Sequence, residues 1–212
     1  MIHVTDGSLL ADAASFINQG KADGINLNYT KNWPSDLEPL RDLKTIKCII
    51  VNDYAPSKPY DYSAVHSMRN LEHISIHTSD KKEITFSSWP NLNSVTLMWR
   101  HKAKSLFNCV NLKHLFLGRY TEKDLKDVSK LKHLRYLRIN TGSVMTLEGL
   151  SEISELEELL LMQTTKLENI DDILKLKHLK RLRIDNCKRI QNIESIKKMG
   201  IPQLEIVGTT PN

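Results

Sequence analysis

Aliphatic residues recur along this chain in one short unit. Two of them flank a single residue, and a third usually stands three positions before the first. In "LKHLKRLRID" the three are Leu179, Leu182 and Ile184, and "LKHLRYLRIN" repeats the stretch 45 residues earlier. The pair recurs at Ile25/Leu27, Ile49/Val51, Ile74/Ile76, Val95/Leu97, Leu115/Leu117, Leu137/Ile139, Leu159/Leu161, Leu182/Ile184 and Leu204/Ile206. Successive gaps are 24, 25, 21, 20, 22, 22, 23 and 22 residues, so the 45-residue spacing of the twins is two periods. The leading aliphatic stands at Ile46, Leu71, Leu92, Leu112, Leu134, Leu156, Leu179 and Ile201. Self-similarity at a period near 22 is the mark of a repeat architecture.

Residues two apart point to the same side of an extended strand. The spacing therefore predicts one short strand per repeat, with the aliphatic pair facing inward. One such strand cannot bury its apolar side alone, so successive coils must stack and share a core. Between strands, apolar residues recur every three positions: Leu147, Leu150, Ile153; Leu167, Ile170, Ile173; Ile190, Ile193, Ile196. That period suits short 3₁₀ or helical return segments. The twin stretch is thus read as a strand and not as a basic helix for gripping nucleic acid.

The pattern over residues 22–208 resembles the leucine-rich repeat family, with its most specific match in "LEELLLMQTTKLENIDDILKLKHLKRLRIDNCKRIQNIESI". The resemblance implies an α/β leucine-rich repeat solenoid: a curved parallel sheet of about nine strands with short return segments on the convex side. It is closest to short, freestanding members, bacterial in type. The family's bend asparagine, three residues past the last strand aliphatic, is largely missing. Tyr54, Ser79, Arg100, Tyr120, Gly142, Thr164, Cys187 and Thr209 stand there instead. Threonine and cysteine are substitutes the family tolerates, whereas arginine and tyrosine predict a less regular coil around residues 98–121.

One domain is expected, with residues 1–21 as an N-terminal capping helix, 22–208 as repeats and 209–212 as a tail. In the cap, Ser8 or Asp6 starts the helix, Leu9, Leu10, Ala13, Phe16 and Ile17 form one face, and Gly20 stops it. The other end carries only "VGTTPN", where Pro202 and Pro211 discourage edge pairing, so a monomer is expected before a homodimer.

Composition narrows the setting. Three cysteines, Cys48, Cys109 and Cys187, are odd in number and form no CxxC pair, which fits a reducing cytoplasm better than a disulfide framework. No apolar run approaches the roughly 20 residues a membrane span needs. The first residues lack the basic start and apolar centre of a secretory signal. The net charge of +5 is uneven, since residues 107–212 hold 18 basic and 14 acidic side chains against 12 and 11 before them.

The register also lists the solvent side of the strands, which in the family forms a concave binding surface. Apolar and aromatic residues expected there are Met98, Trp99, Phe116, Tyr136, Leu160 and Met162, and such clusters rimmed by charge mark protein interfaces. Beside them run Arg119, Arg135, Arg138, Arg181 and Arg183, interrupted by Glu157 and Glu158 and followed by Asp185. His73, His77 and His114 complete the candidate surface. The basic group could select an acidic partner, or it could simply pair with acids on adjacent strands.

Other chemistries find less support. Basic residues outnumber acids eight to three between 113 and 138, but the aromatic interleaving of a base-stacking platform is sparse. Nucleic acid is therefore the runner-up partner. His73 and His114 stand two strands apart, about 10 Å at the backbone, too far for easy convergence on one ion. Cys48 has a histidine in the next strand but no other nucleophile machinery, and phosphate loops and GxSxG elbows are absent. The sequence points to a non-enzymatic module without cofactor or metal. It would bind a protein that offers an acidic and apolar patch, through the strand face or the "MWRHKAK" segment (98–104). An inhibitor or immunity-type protein, or a scaffold, would need nothing more.

Overall fold

The computed structural model describes residues 1–209 apart from 33, 35, 42, 54–60 and 80. Tyr54, Pro211 and most of the expected tail (210–212) lie outside the described residues. The chain divides into two compact units, Met1–Cys109 and Val110–Asn212. The expectation of one domain over 1–212 meets this division inside the stretch expected to be irregular.

The first unit holds β1 (Ile2–Asp6), α1 (Leu10–Asn18), β2 (Gly24–Lys31), β3 (Cys48–Asp53), β4 (His73–Thr78) and β5 (Ser94–Met98). Its strands pair in parallel in chain order. The second unit holds β6 (His114–Gly118), β7 (Tyr136–Asn140), β8 (Glu158–Met162), β9 (Arg181–Asp185), α2 (Ile193–Lys197) and β10 (Gln203–Val207), again parallel and in chain order. Every expected strand is present, and β1 is an addition. Residues 1–21 are thus a strand plus a helix, with Asp6 capping the turn that leads into α1 by accepting the Ser8 amide at 3.0 Å. β1 escaped the pattern because it carries only Ile2 and Val4, with no aliphatic three residues earlier.

The inward pairs do what the spacing requires. Leu115, Leu117, Leu137, Ile139, Leu159, Leu161, Leu182 and Ile184 are all fully buried. The return-segment aliphatics, among them Leu150, Ile153, Ile170 and Ile173, close the core from the other side on single 3₁₀ turns. The register pairs each inward residue with its equivalent one repeat on, such as Leu137 with Leu159 and Leu159 with Leu182. At the last strand, Leu204 and Ile206 are only half-buried, because no further coil covers them among the described residues.

The bend that usually holds asparagine is filled in two ways. In the second unit Thr164 and Cys187 meet through Oγ1 and Sγ at 2.9 Å, and the Cys187 amide donates to Thr209 Oγ1 at 3.2 Å. These three side chains hand one polar contact from coil to coil inside the core. In the first unit Arg100 is folded inward, 5% exposed, and its guanidinium donates to Thr78 Oγ1 at 3.0 Å. The 3₁₀ segment after it, His101–Asn108, is the longest of its kind among the described residues, and it is interrupted at Ala103, whose φ of −114° is not helical.

A second ladder follows the strands of the second unit. The residue just past each strand has left-handed backbone: Arg119, Thr141, Gln163, Asn186 and Gly208, with φ between 53° and 60°. Each of the first four donates its amide at 2.8 Å to the last carbonyl of the next strand, so the geometry extends the sheet by one bond per coil. Asparagine and glycine accept this conformation readily, whereas a β-branched residue is strained in it. Thr141→Asn should therefore raise the melting temperature by about 2–4 °C, corresponding to roughly 1 kcal/mol. Thermal unfolding by circular dichroism checks this. A fall instead would mean that the Thr141 hydroxyl, 3.1 Å from Gln163 Oε1, outweighs the strain.

Candidate binding face of the second unit

Outward residues of β6 to β10 stand in three cross-strand rows. One reads His114, Tyr136, Glu158, Arg181, Gln203; the central one reads Phe116, Arg138, Leu160, Arg183, Glu205. The third reads Gly118, Asn140, Met162, Asp185, Val207. Strand pairing thus brings together ten of the expected surface residues in one unit, with Arg119 just past the end of β6.

Most of the positive charge on this face is neutralised internally. Glu157 accepts from Lys180 at 2.7 Å and pairs with Arg135. Its carboxyl is held below the ordinary range, first by the Lys180 hydrogen bond and then by the charge of Arg135. Arg183 spans Glu205 at 3.0 Å and Asp185 at 2.9 Å, while Arg181 reaches Glu205 at 3.5 Å and Glu158 at 3.8 Å. These pairs are exposed or half-exposed, so each contributes little stability. Their larger consequence is that these basic residues are engaged with acids on adjacent strands, one of the two arrangements the sequence allowed for them.

Arg138 is different. It is half-buried, its guanidinium carbon lies 4.6 Å from the centre of the Phe116 ring, and no carboxylate pairs with it among the described residues. Phe116 and Arg138 are register partners on adjacent strands, which is what allows ring and guanidinium to stack. On the neighbouring row His114 and Tyr136 pack with ring centres 6.2 Å apart. Met162 and Tyr136 are half-buried.

Two expected surface residues need correction. Leu160 does point outward, yet it is only 7% exposed, since the long side chains of Arg138 and Arg183 flank it in the central row. Trp99, in the first unit, is 9% exposed and packs on Phe107 with centres 5.4 Å apart. The reason is parity: Val95 and Leu97 face inward, so position 99 does too. The expected 98–104 segment accordingly offers Met98, half-buried, and not the tryptophan.

The remaining candidates lie in the first unit. His73 shares a hydrogen bond with Ser94 at 2.8 Å, and burial lowers the His77 pKa. Among the described residues no three His, Cys, Asp or Glu side chains converge as a metal site would require. Cys48 does stand beside His73 in register. Burial raises its thiol pKa, however, and Cys109 is pushed up to about 11 by the same cause, the opposite of nucleophile activation. No helix among the described residues is long and apolar enough to cross a membrane.

Neither the protein-family models nor the curated proteins contain a match to this sequence. Solved structures do resemble it. An internalin (InlF) of Listeria monocytogenes superposes with a TM-score of 0.65 at 16% identity, over 95% of this chain and 71% of the other. A leucine-rich repeat protein of Leptospira interrogans gives 0.61 at 14% identity, over 100% and 66%. Toll-like receptor 13, solved in complex with a single-stranded RNA, gives 0.58 at 15% identity, over 99% of this chain and 27% of its own. Identities this low speak to fold alone. With ten parallel strands among the described residues, short 3₁₀ or helical segments between them and these structural neighbours, the chain has the leucine-rich repeat fold.

Proposed function

We propose that the strand face of the second unit binds a partner protein, with Phe116 and Arg138 as its centre. The observation that carries this reading is the state of Arg138. It is already oriented by stacking, partly desolvated, and without the carboxylate that Arg135, Arg181 and Arg183 each have. An acidic side chain from a partner would complete it at little cost in side-chain ordering. Arginine and aromatic residues in a partly desolvated centre are the residue types that dominate interface energetics. The paired charges around them supply a polar rim. Resemblance to short freestanding repeat proteins adds a finer reading, in which the module acts by covering a partner's working surface as an inhibitor or immunity-type protein, or by serving as a scaffold. The internal pairing of the basic residues and the scarcity of stacking rings count against nucleic acid.

The test is affinity capture from the native host's lysate, at low and moderate salt, with Arg138→Glu and Phe116→Ala beside the wild type. A protein retained at moderate salt by the wild type should bind each variant roughly 30-fold or more weakly, while circular dichroism shows both variants folded. Nucleic acid alone, released by moderate salt and indifferent to Phe116→Ala, would overturn the proposal.

A further inference from the structure

The rim of the second unit, where the chain leaves its strands, contains a groove of about 550 Å³. Its floor is the left-handed ladder: Arg119, Thr141, Gln163 and Asn186, one residue from each of four consecutive coils, with Lys188 at the far end. This groove lies past the strand ends, so it is separate from the Phe116–Arg138 face. None of the residues lining it is acidic. Among the described residues, neither Arg119 nor Lys188 has an ion-pair partner, while Arg135, Arg181, Arg183 and Arg189 of the same unit are all paired. Hydroxyls and side-chain amides fill the space between the two cations.

From this geometry we infer that the groove holds an extended acidic peptide segment, whose carboxylates sit on Arg119 and Lys188 while its backbone bonds to the intervening hydroxyls and amides. Spacing sets the register of the occupant. Adjacent parallel strands lie about 4.8 Å apart, so the coil of Arg119 and the coil of Lys188, three spacings along, are separated by about 14 Å. An extended chain advances about 3.3 Å per residue. Two acidic residues four apart therefore match the two cations. A single phosphate or carboxylate could reach only one of them. An oligonucleotide would find the phosphate contacts but no exposed ring on which to stack its bases.

The left-handed backbone helps to build the site. It turns each rung residue out of the pleat while its amide stays in the sheet, so the side chains from successive coils stand in one file. In a regular strand the next residue would point into the core.

The experiment titrates ¹⁵N-labelled protein with two synthetic peptides, Ac-EGSTE-NH₂ and Ac-EESTG-NH₂, of equal charge and different carboxylate spacing. Amide shifts of Arg119, Thr141, Gln163 and Asn186 should move with the first peptide, and the second should bind several-fold more weakly. Arg119→Gln with Lys188→Gln should weaken the first peptide about tenfold, whereas Lys177→Gln with Lys198→Gln, exposed lysines outside the groove, should leave it unchanged. Equal response to both peptides, shifts elsewhere on the protein, or tighter binding of the oligonucleotide dT₄ at the same amides would each overturn the inference. Its outcome is independent of Arg138→Glu, which leaves the rim intact.

Discussion

Arg100→Ala should lower the stability of the protein by about 2–4 kcal/mol, read from the midpoint of chemical unfolding at constant m-value. Arg100 occupies the bend where an asparagine would ordinarily serve, and its guanidinium is nearly buried. It donates to the Thr78 hydroxyl at 3.0 Å, and weaker contacts run to the Thr78 carbonyl at 3.5 Å and the Met98 carbonyl at 3.4 Å. Thr78 is itself buried and its hydroxyl also lies 3.2 Å from that of Tyr62. Removing the arginine would take its hydrogen bonds away from the Thr78 hydroxyl and the neighbouring carbonyls and open a cavity between two coils. Both effects act in the same direction. Arg100→Lys should recover only part of the loss, because an ammonium lacks the planar fork that reaches two carbonyls and a hydroxyl at once. A loss under about 0.5 kcal/mol for Arg100→Ala would mean that the bend is held by backbone bonds alone.

This bend shows what a repeat sequence hides. The inward pairs were legible because a period-two pattern on a strand has only one buried solution, and the observed register matches the spacing for all five strands of the second unit. Arg100 was not legible, since an arginine at a bend reads as a solvated irregularity until the donors around it are known. Trp99 was readable and still misassigned: the alternation from Val95 and Leu97 already places it inside. The candidate surface was half legible. Register alone brings Phe116, Arg138 and Leu160 into one row, but whether arginines pair with local acids or stay available depends on rotamers. Here Arg183 takes Asp185 and Glu205, while Arg138 takes a ring. The rim groove had no sequence signal, because Arg119, Thr141, Gln163 and Asn186 share a backbone conformation and no chemistry.

Leu159→Ala and Leu160→Ala separate the two faces of one strand. Both leucines are largely buried, at 0% and 7% exposure, so accessibility alone predicts similar losses. Their surroundings differ. Leu159 lies in the shared core between Leu137 and Leu182, its register partners, and is closed in by fully buried return-segment residues such as Ile153 and Ile170. Its removal leaves a cavity that close-packed neighbours cannot fill, with an expected loss of about 3 kcal/mol. Leu160 is covered by Arg138 and Arg183, flexible chains on the wet side of the sheet, which can settle into the space left behind. Its removal should lose only about 1 kcal/mol, mainly cross-strand packing. Partner capture should rank the pair the other way. Leu160→Ala loosens the platform beside Arg138 and weakens retention, while Leu159→Ala leaves retention intact in the folded fraction. Equal stability losses would mean that the Arg138–Leu160–Arg183 row is as rigid as the core. That would make it a structural seam instead of a surface waiting for a partner.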